Sequence, residues 1–123
     1  AQRLVRIICD SSKHEIPIDE STRLMMDRQF ADLPTEFKAA LPLGTNTMYE
    51  AVPSSECPLG TRGRRAVFEM FKIDKDIQKV ILTNPVEQEI YKVVRSKGML
   101  TMREDALLKS LSGEIPIQEV YNL

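Results

Sequence analysis

Hydrophobic spacing divides the chain near position 72. Ahead of it, apolar residues gather in short β-branched or alternating runs. Behind it they recur at helical intervals. Leu4, Val5, Ile7 and Ile8, set among Arg3 and Arg6, predict a short strand. Cys9-Asp10-Ser11-Ser12-Lys13 reads as a turn. From Asp19 to Phe30 the pattern is helical, with Asp19 as cap and Leu24, Met25 and Phe30 as the apolar stripe. A second short helix begins at Asp32 or Leu33, with Pro34 in its first turn and Phe37, Ala40 and Leu41 turned inward. Loop follows from Pro42 to Thr47, then a short strand at Met48–Val52 and loop again at Pro53–Gly60. Gly63–Phe71 alternates and is the clearest strand of the chain.

The remainder reads as helix. Asp74 caps a segment whose inner face holds Ile77, Val80 and Ile81. Asn84-Pro85-Val86-Glu87 predicts a helix start, with Asn84 as N-cap, Pro85 first and Glu87 reaching back. Val86, Ile90, Val93 and Val94 share one helical face, which Gly98 closes after Lys97. Thr101 opens another helix with Leu107, Leu108 and Leu111 inside and Gly113 as its stop. A last short one covers Ile117–Tyr121. The predicted fold class is α+β, mostly helical. Residues 1–72 form a strand-containing part and residues 73–123 a helical subdomain.

Composition narrows the function classes. The 123 residues carry a net charge of −1, with seven basic and nine acidic side chains over residues 1–62 and ten and nine over 63–123. Charge that even excludes broad binding of nucleic acid through phosphate neutralisation. The longest apolar runs fall far short of the ~20 residues that cross a bilayer. The first residue is Ala, and Ala1–Ile8 already has the character of the middle of an element, so a piece of a longer polypeptide is expected. Two cysteines, Cys9 and Cys57, are too few for a disulfide framework and predict reduced, largely buried thiols in a reducing cytoplasm. The alternative is a zinc ion shared by Cys9, His14 and Cys57 with a fourth ligand such as Asp10. Structural zinc draws on ligand pairs two to four residues apart, which are missing here, so no zinc is expected.

No residues assemble a catalytic site. A phosphate-binding loop requires Gly, four residues, then Gly-Lys-Ser/Thr, and no glycine here precedes a lysine. The acid pairs Asp74/Asp76 and Glu87/Glu89 lie on predicted solvent faces. One cluster stands out: Thr61-Arg62-Gly63-Arg64-Arg65. Arginine pairs bidentately with phosphate oxygens and keeps its charge at every relevant pH. A solvated basic turn before a strand would look the same.

Three blocks carry a resemblance. Ala1-Gln2-Arg3-Leu4-Val5-Arg6 with Cys9 resembles the "AQRLVR-x-x-C" segment of type II secretion and type IV pilus ATPases. Gly63-Arg64-Arg65-Ala66-Val67-Phe68-Glu69 is similar to that family's "GR-x-x-x-x-E" strand. Gly98-Met99, Thr101-Met102, Glu104-Asp105-Ala106-Leu107, Lys109 and Gly113 resemble its closing stretch, and Glu119-Val120 its ending. The order and spacing of the blocks identify the family. The chain departs from it between residues 10 and 60, where the family's zinc-binding Cys-x-x-Cys pairs are reduced to Cys9 and Cys57.

The resemblance implies the C-terminal edge of a RecA-like ATPase domain. A helical insert replaces the tetracysteine subdomain, and a C-terminal helical bundle follows. It implies a hexameric parent that hydrolyses ATP with magnesium to drive pilus assembly or protein secretion. Its partners would be the other ring subunits and an inner-membrane platform protein, with no nucleic acid, at the cytoplasmic side of the inner membrane. This piece, lacking Walker A and Walker B, would be inactive alone and bind no cofactor of its own. The arginine of the family's Gly-Arg pair carries over to Arg64 as a contact to nucleotide phosphate. Arg65, its neighbour, would point away. Arg3 and Arg6 are secondary candidates for the same site or for a subunit interface. A stand-alone helical adaptor for protein interaction is the alternative function.

Overall fold

The computed structural model describes residues 1–123. It contains two antiparallel strand pairs and six helices, an α+β fold as expected. The strands are β1 (Gln2–Ile8), β2 (Lys13–Pro17), β3 (Thr47–Ala51) and β4 (Thr61–Phe68). The helices are α1 (Glu20–Gln29), α2 (Thr35–Lys38), α3 (Lys75–Thr83), α4 (Glu87–Ser96), α5 (Met102–Leu111) and α6 (Ile117–Tyr121). β1 pairs with β4, and β2 with β3, so the pair of inner strands is nested between the two outer ones in sequence.

The main core draws on both sides of position 72. Val5 and Val67 from the β1–β4 pair meet Met26 of α1, Phe30 just after it, Met48 of β3, Ala106, Leu107 and Leu111 of α5, and Val120 of α6. Burial of such side chains contributes about 1.5–3 kcal/mol each and holds these short elements together. A smaller cluster of Ile77, Val94 and Met99 joins α3 to α4.

Several expected elements form for the expected reasons. Asp19 accepts the Thr22 N–H at 2.7 Å and starts α1, and Asp74 accepts the Ile77 N–H at 3.0 Å and starts α3. Gly98 ends α4 at φ +92°, and the Phe37 ring packs so close that a Cβ there would sit 2.7 Å from it. Conformation and space therefore both demand glycine.

Other expectations are corrected. In α1 the buried residues are Thr22 and Met26, whereas Leu24 is 49% exposed, because the core-facing line runs through 22, 26 and 30 at four-residue spacing. Ala40 is exposed, since α2 stops at Lys38 and the chain turns away. Lys13 does not close a turn but opens β2, which finds its partner in β3 across 29 intervening residues. The clearest strand begins earlier and ends earlier than its alternation implied, at Thr61 and Phe68. Asn84 is not the N-cap of α4: its N–H bonds the Val80 carbonyl and finishes α3, while Val86 caps α4 without a side-chain bond. That two-residue delay leaves Val86 half exposed rather than on the inner face, and Ile81 is likewise exposed.

Cys9 and Cys57 are not free thiols but are joined by a disulfide, with Cα atoms 6.5 Å apart. The cause is the strand pairing. Ile8 stands opposite Thr61, and the Cys9 N–H bonds the Gly60 carbonyl at 3.1 Å, so residues 48 apart in sequence become neighbours. The shared-metal alternative fails with it. Both sulfurs are used, and His14 turns to Glu50, with Nδ1 2.9 Å from Oε1.

Candidate phosphate-facing arginines

The site grows from the pleat of the β1–β4 pair. Successive strand side chains point to opposite faces. Val5 and Val67 are buried, so their face packs on the core. Arg65, directly opposite Val5, lies on that side and forms an ion pair with Glu114 in the segment between α5 and α6. Arg64 and Arg6 therefore occupy the outer face, and the register sets them directly opposite each other. Both are exposed.

Like charges in a cross-strand pair repel. Neither arginine forms an ion pair within the chain, and Glu114, on the other side of the strand pair, is committed to Arg65. Two planar guanidinium forks held side by side on a strand pair form a ready acceptor for a polyanion. Two large apolar residues also lie open on that face, Leu4 at 63% exposure and Phe68 at 39%.

Local structure aims and fixes the pair. Between Arg6 and Ile8 the register slips, with two steps on β1 matched by three on β4 from Thr61 to Arg64. The extra residue is accommodated at Gly63, whose φ of +77° an L side chain would rarely adopt. The other end of β4 is tied to α5, where Asp105 accepts the Phe68 N–H at 2.9 Å and is itself held by Lys109 at 2.7 Å. β1 is tied by the Ile8 N–H to the Glu114 carbonyl at 3.1 Å and by the disulfide just beyond it.

Of the secondary candidates, Arg6 joins Arg64 and Arg3 does not. Arg3 stands opposite Val67 and alternates to the other face. Arg62 is engaged separately, donating to the Glu56 carbonyl at 3.1 Å.

Sequence reasoning missed a second charged constellation, buried between α1, α4 and α5. Arg95 is 3% exposed and Glu104 0%. Arg95 donates to both Glu104 oxygens at 2.6 and 2.9 Å, to Asp32 at 3.0 Å, and to the carbonyls of Met99 and Gln29 at 2.8 and 3.3 Å. Glu104 also accepts from the Gln29 side chain at 2.8 Å and from the Thr101 N–H at 3.0 Å, completing a reciprocal cap on α5. Tyr91 donates to the second oxygen of Asp32 at 2.7 Å. Burial pushes the Tyr91 phenol up to about 12, and its bond to Asp32 adds to that. Burial works against ionising Asp32, but bonds from Tyr91 and Arg95 outweigh it and hold the carboxyl below the usual range. Burial likewise opposes the Arg95 charge, yet Glu104 and then Asp32 make it more basic than a free arginine. The visible signal was the Thr101-x-x-Glu104 spacing, which marks a capping box. Every group in this network is satisfied by another, so it serves the fold.

Comparison with known proteins gives the site a setting. A sequence profile described as Type II/IV secretion system protein matches residues 1–122. The type IV pilus assembly ATPase PilB of Thermus thermophilus is 32% identical over 98% of the chain, which spans 12% of that protein. PilB of Acinetobacter baylyi is 30% identical over 98% of the chain and 19% of its own length. Type II secretion system protein E of Pseudomonas aeruginosa is 28% identical across the whole chain and 22% of its own length. The chain thus spans 12% to 22% of the length of these relatives. No helix in it is long and apolar enough to cross a membrane.

Proposed function

Since the chain belongs to the Type II/IV secretion system protein family, we propose that it is the part of a secretion or pilus-assembly ATPase that supplies Arg64, seconded by Arg6, to the phosphates of a bound nucleotide. The observation that carries this reading is the Arg6–Arg64 pair, two exposed like charges held opposite each other with no acid between them. An arrangement that costs the isolated strands stability makes physical sense when a polyanion is its partner.

The division of labour follows from what the chain contains. It has no glycine-lysine phosphate loop, so the loop that grips ATP and its magnesium belongs to other segments of the longer protein. Arg64 and Arg6 would face that nucleotide from the outer side of the strand pair, with Leu4 and Phe68 covered by the nucleotide-holding domain. ATP with its metal supplies the cleavable phosphoanhydride. The guanidinium of Arg64 stabilises negative charge on the phosphate oxygens as the bond breaks. In a hexameric ring beside an inner-membrane platform protein, the helical half would contribute subunit contacts.

The test replaces Arg64 by alanine in the full-length ATPase. Removing one such donor lowers turnover by about 10²–10³-fold, while the stability of the 123-residue chain does not fall, since the change also relieves the repulsion with Arg6. Unchanged hydrolysis and ATP affinity would defeat the assignment.

A further inference from the structure

The nucleotide reading gives the Cys9–Cys57 disulfide no part, yet that bond closes the end of the strand pair that carries Arg6 and Arg64. It lies one residue beyond the Ile8–Thr61 pairing, and the register slip that follows the Arg6–Arg64 pair falls between Arg6 and Ile8. Its other end anchors the loop between β3 and β4.

Two features let this bond open and close in the folded protein. The first is access. Both cysteines line an open cavity of about 460 Å³ beside Asp10, Glu56 and Arg62. Cys9 is half-buried and Cys57 only 3% exposed, so an incoming thiol meets Cys9 first. The second is that the two residues are positioned without their covalent bond. The Cys9 N–H donates to the Gly60 carbonyl at 3.1 Å, and the Gly60 N–H to the Cys57 carbonyl at 2.9 Å. The Cys57 N–H donates to the Ser54 carbonyl at 3.2 Å, and the Ser54 hydroxyl meets those of Ser11 and Ser12 at 3.0 and 3.1 Å. None of these bonds uses sulfur, so they return Cys9 to Cys57 after reduction. What reduction removes is the one covalent tether between residues 48 apart. Hydrogen bonds near the surface open singly, so the bulge beside Arg64 then loosens.

We propose that Cys9 and Cys57 form a thiol–disulfide exchange site whose redox state sets how firmly Arg6 and Arg64 are held; its bearing on ATP rests on the nucleotide reading of Arg64. The co-reactant is a dithiol. Its thiolate attacks Cys9 Sγ, the bond between the two protein sulfurs breaks, and Cys57 leaves as a thiolate that takes a proton from water. The second thiol of the reagent loses its proton and attacks its own partner sulfur in the mixed disulfide. Cys9 then leaves as a thiolate and is protonated. The dithiol ends as its disulfide, and two electrons and two protons have passed to the protein pair.

The experiment treats the ¹⁵N-labelled 123-residue chain with dithiothreitol in the absence of denaturant, then with oxidised dithiothreitol. Alkylation followed by intact mass should count no thiol, then two, then none. The reduced chain should keep a dispersed spectrum. Its amide exchange should quicken at Cys9, Cys57 and Gly60, and the Arg6 and Arg64 resonances should shift while those of Arg95 and Glu104 stay. Its urea midpoint should fall, the unfolded-to-folded ratio rising about 30- to 1,000-fold. Cys9→Ser, at the half-buried position, should match the reduced chain without reagent. In the full-length ATPase, dithiothreitol should weaken ATP binding about fivefold or more and have no such effect on Cys9→Ser. Overturning results are a pair that is reduced only in urea, a reduced chain that loses its dispersion, or Arg6 and Arg64 resonances identical in both states. Redox-sensitive resonances with a redox-indifferent ATP affinity would leave the switch standing and count against the nucleotide reading.

Discussion

Arg95 donates five hydrogen bonds from inside the protein, while Arg6 and Arg64 stand exposed across a strand pair with no acid between them. The three carry the same charge on the same side chain. What differs is whether the chain supplies the counter-charge. Around Arg95 it supplies two carboxylates and two carbonyls, so the guanidinium is consumed in joining α1, α4 and α5. Around Arg64 it supplies none, so the demand is passed outward. Removing Arg95 should therefore injure the fold, whereas removing Arg64 breaks no contact that the fold depends on.

The largest effect expected is that of Arg95→Met. It leaves Glu104 buried with no cation, and breaking such a pair costs about 3–5 kcal/mol. Urea unfolding of the 123-residue chain measures it directly. A double variant, Arg95→Met with Glu104→Leu, should recover much of the loss, because a well-packed apolar pair replaces a buried ion pair at little cost. If the double variant is no more stable than the single one, unpaired charge is not the cause.

Asp32→Asn comes next. Asp32 holds the outer end of the network, and its side chain is 54% exposed, so screening limits the loss to about 1 kcal/mol. Its pH dependence is distinctive. The folded carboxyl titrates below the unfolded one, so its contribution is complete above the ordinary aspartate value of about 4 and fades as pH falls through the lower folded value. The variant should have a flatter acid limb in its stability profile. Tyr91 gives the opposite sign. Its folded pKa is raised from 10.0 to about 12, so stability held below pH 10 drains away between those values, and Tyr91→Phe removes that slope.

How far each region was legible follows the same division. Local signals were readable: the Asp19 and Asp74 caps, Gly98 at the end of α4, and the 63–68 alternation that became most of β4. Arg64 stood out as a candidate because motif spacing marks it. Its partnership with Arg6 did not, since register depends on a bulge that no single strand reveals. The Arg95 network was hidden for a related reason. Its members sit at 29, 32, 91, 95 and 104, and nothing local brings α1 against α4 and α5. The disulfide and β2 were missed alike, because both are decided by pairing across long stretches of chain. Asn84 shows the converse, a strong local start signal whose N–H was claimed by the helix before it.

The smallest effect is the most discriminating. Arg6→Glu converts a repelling cross-strand pair into an attracting one while leaving Leu4, Val5 and the buried face untouched. Opposite charges in such positions contribute about 0.2–1 kcal/mol. The 123-residue chain should therefore become slightly more stable, as read by its urea midpoint. In the full-length ATPase the same change should weaken nucleotide binding, because the introduced carboxylate repels phosphate and draws the Arg64 guanidinium sideways. A gain in stability with a loss in ATP affinity shows that the native pair is kept at a cost to the fold. A loss in both would mean that Arg6 has a stabilising partner on this face, and the contrast with Arg95 would no longer hold.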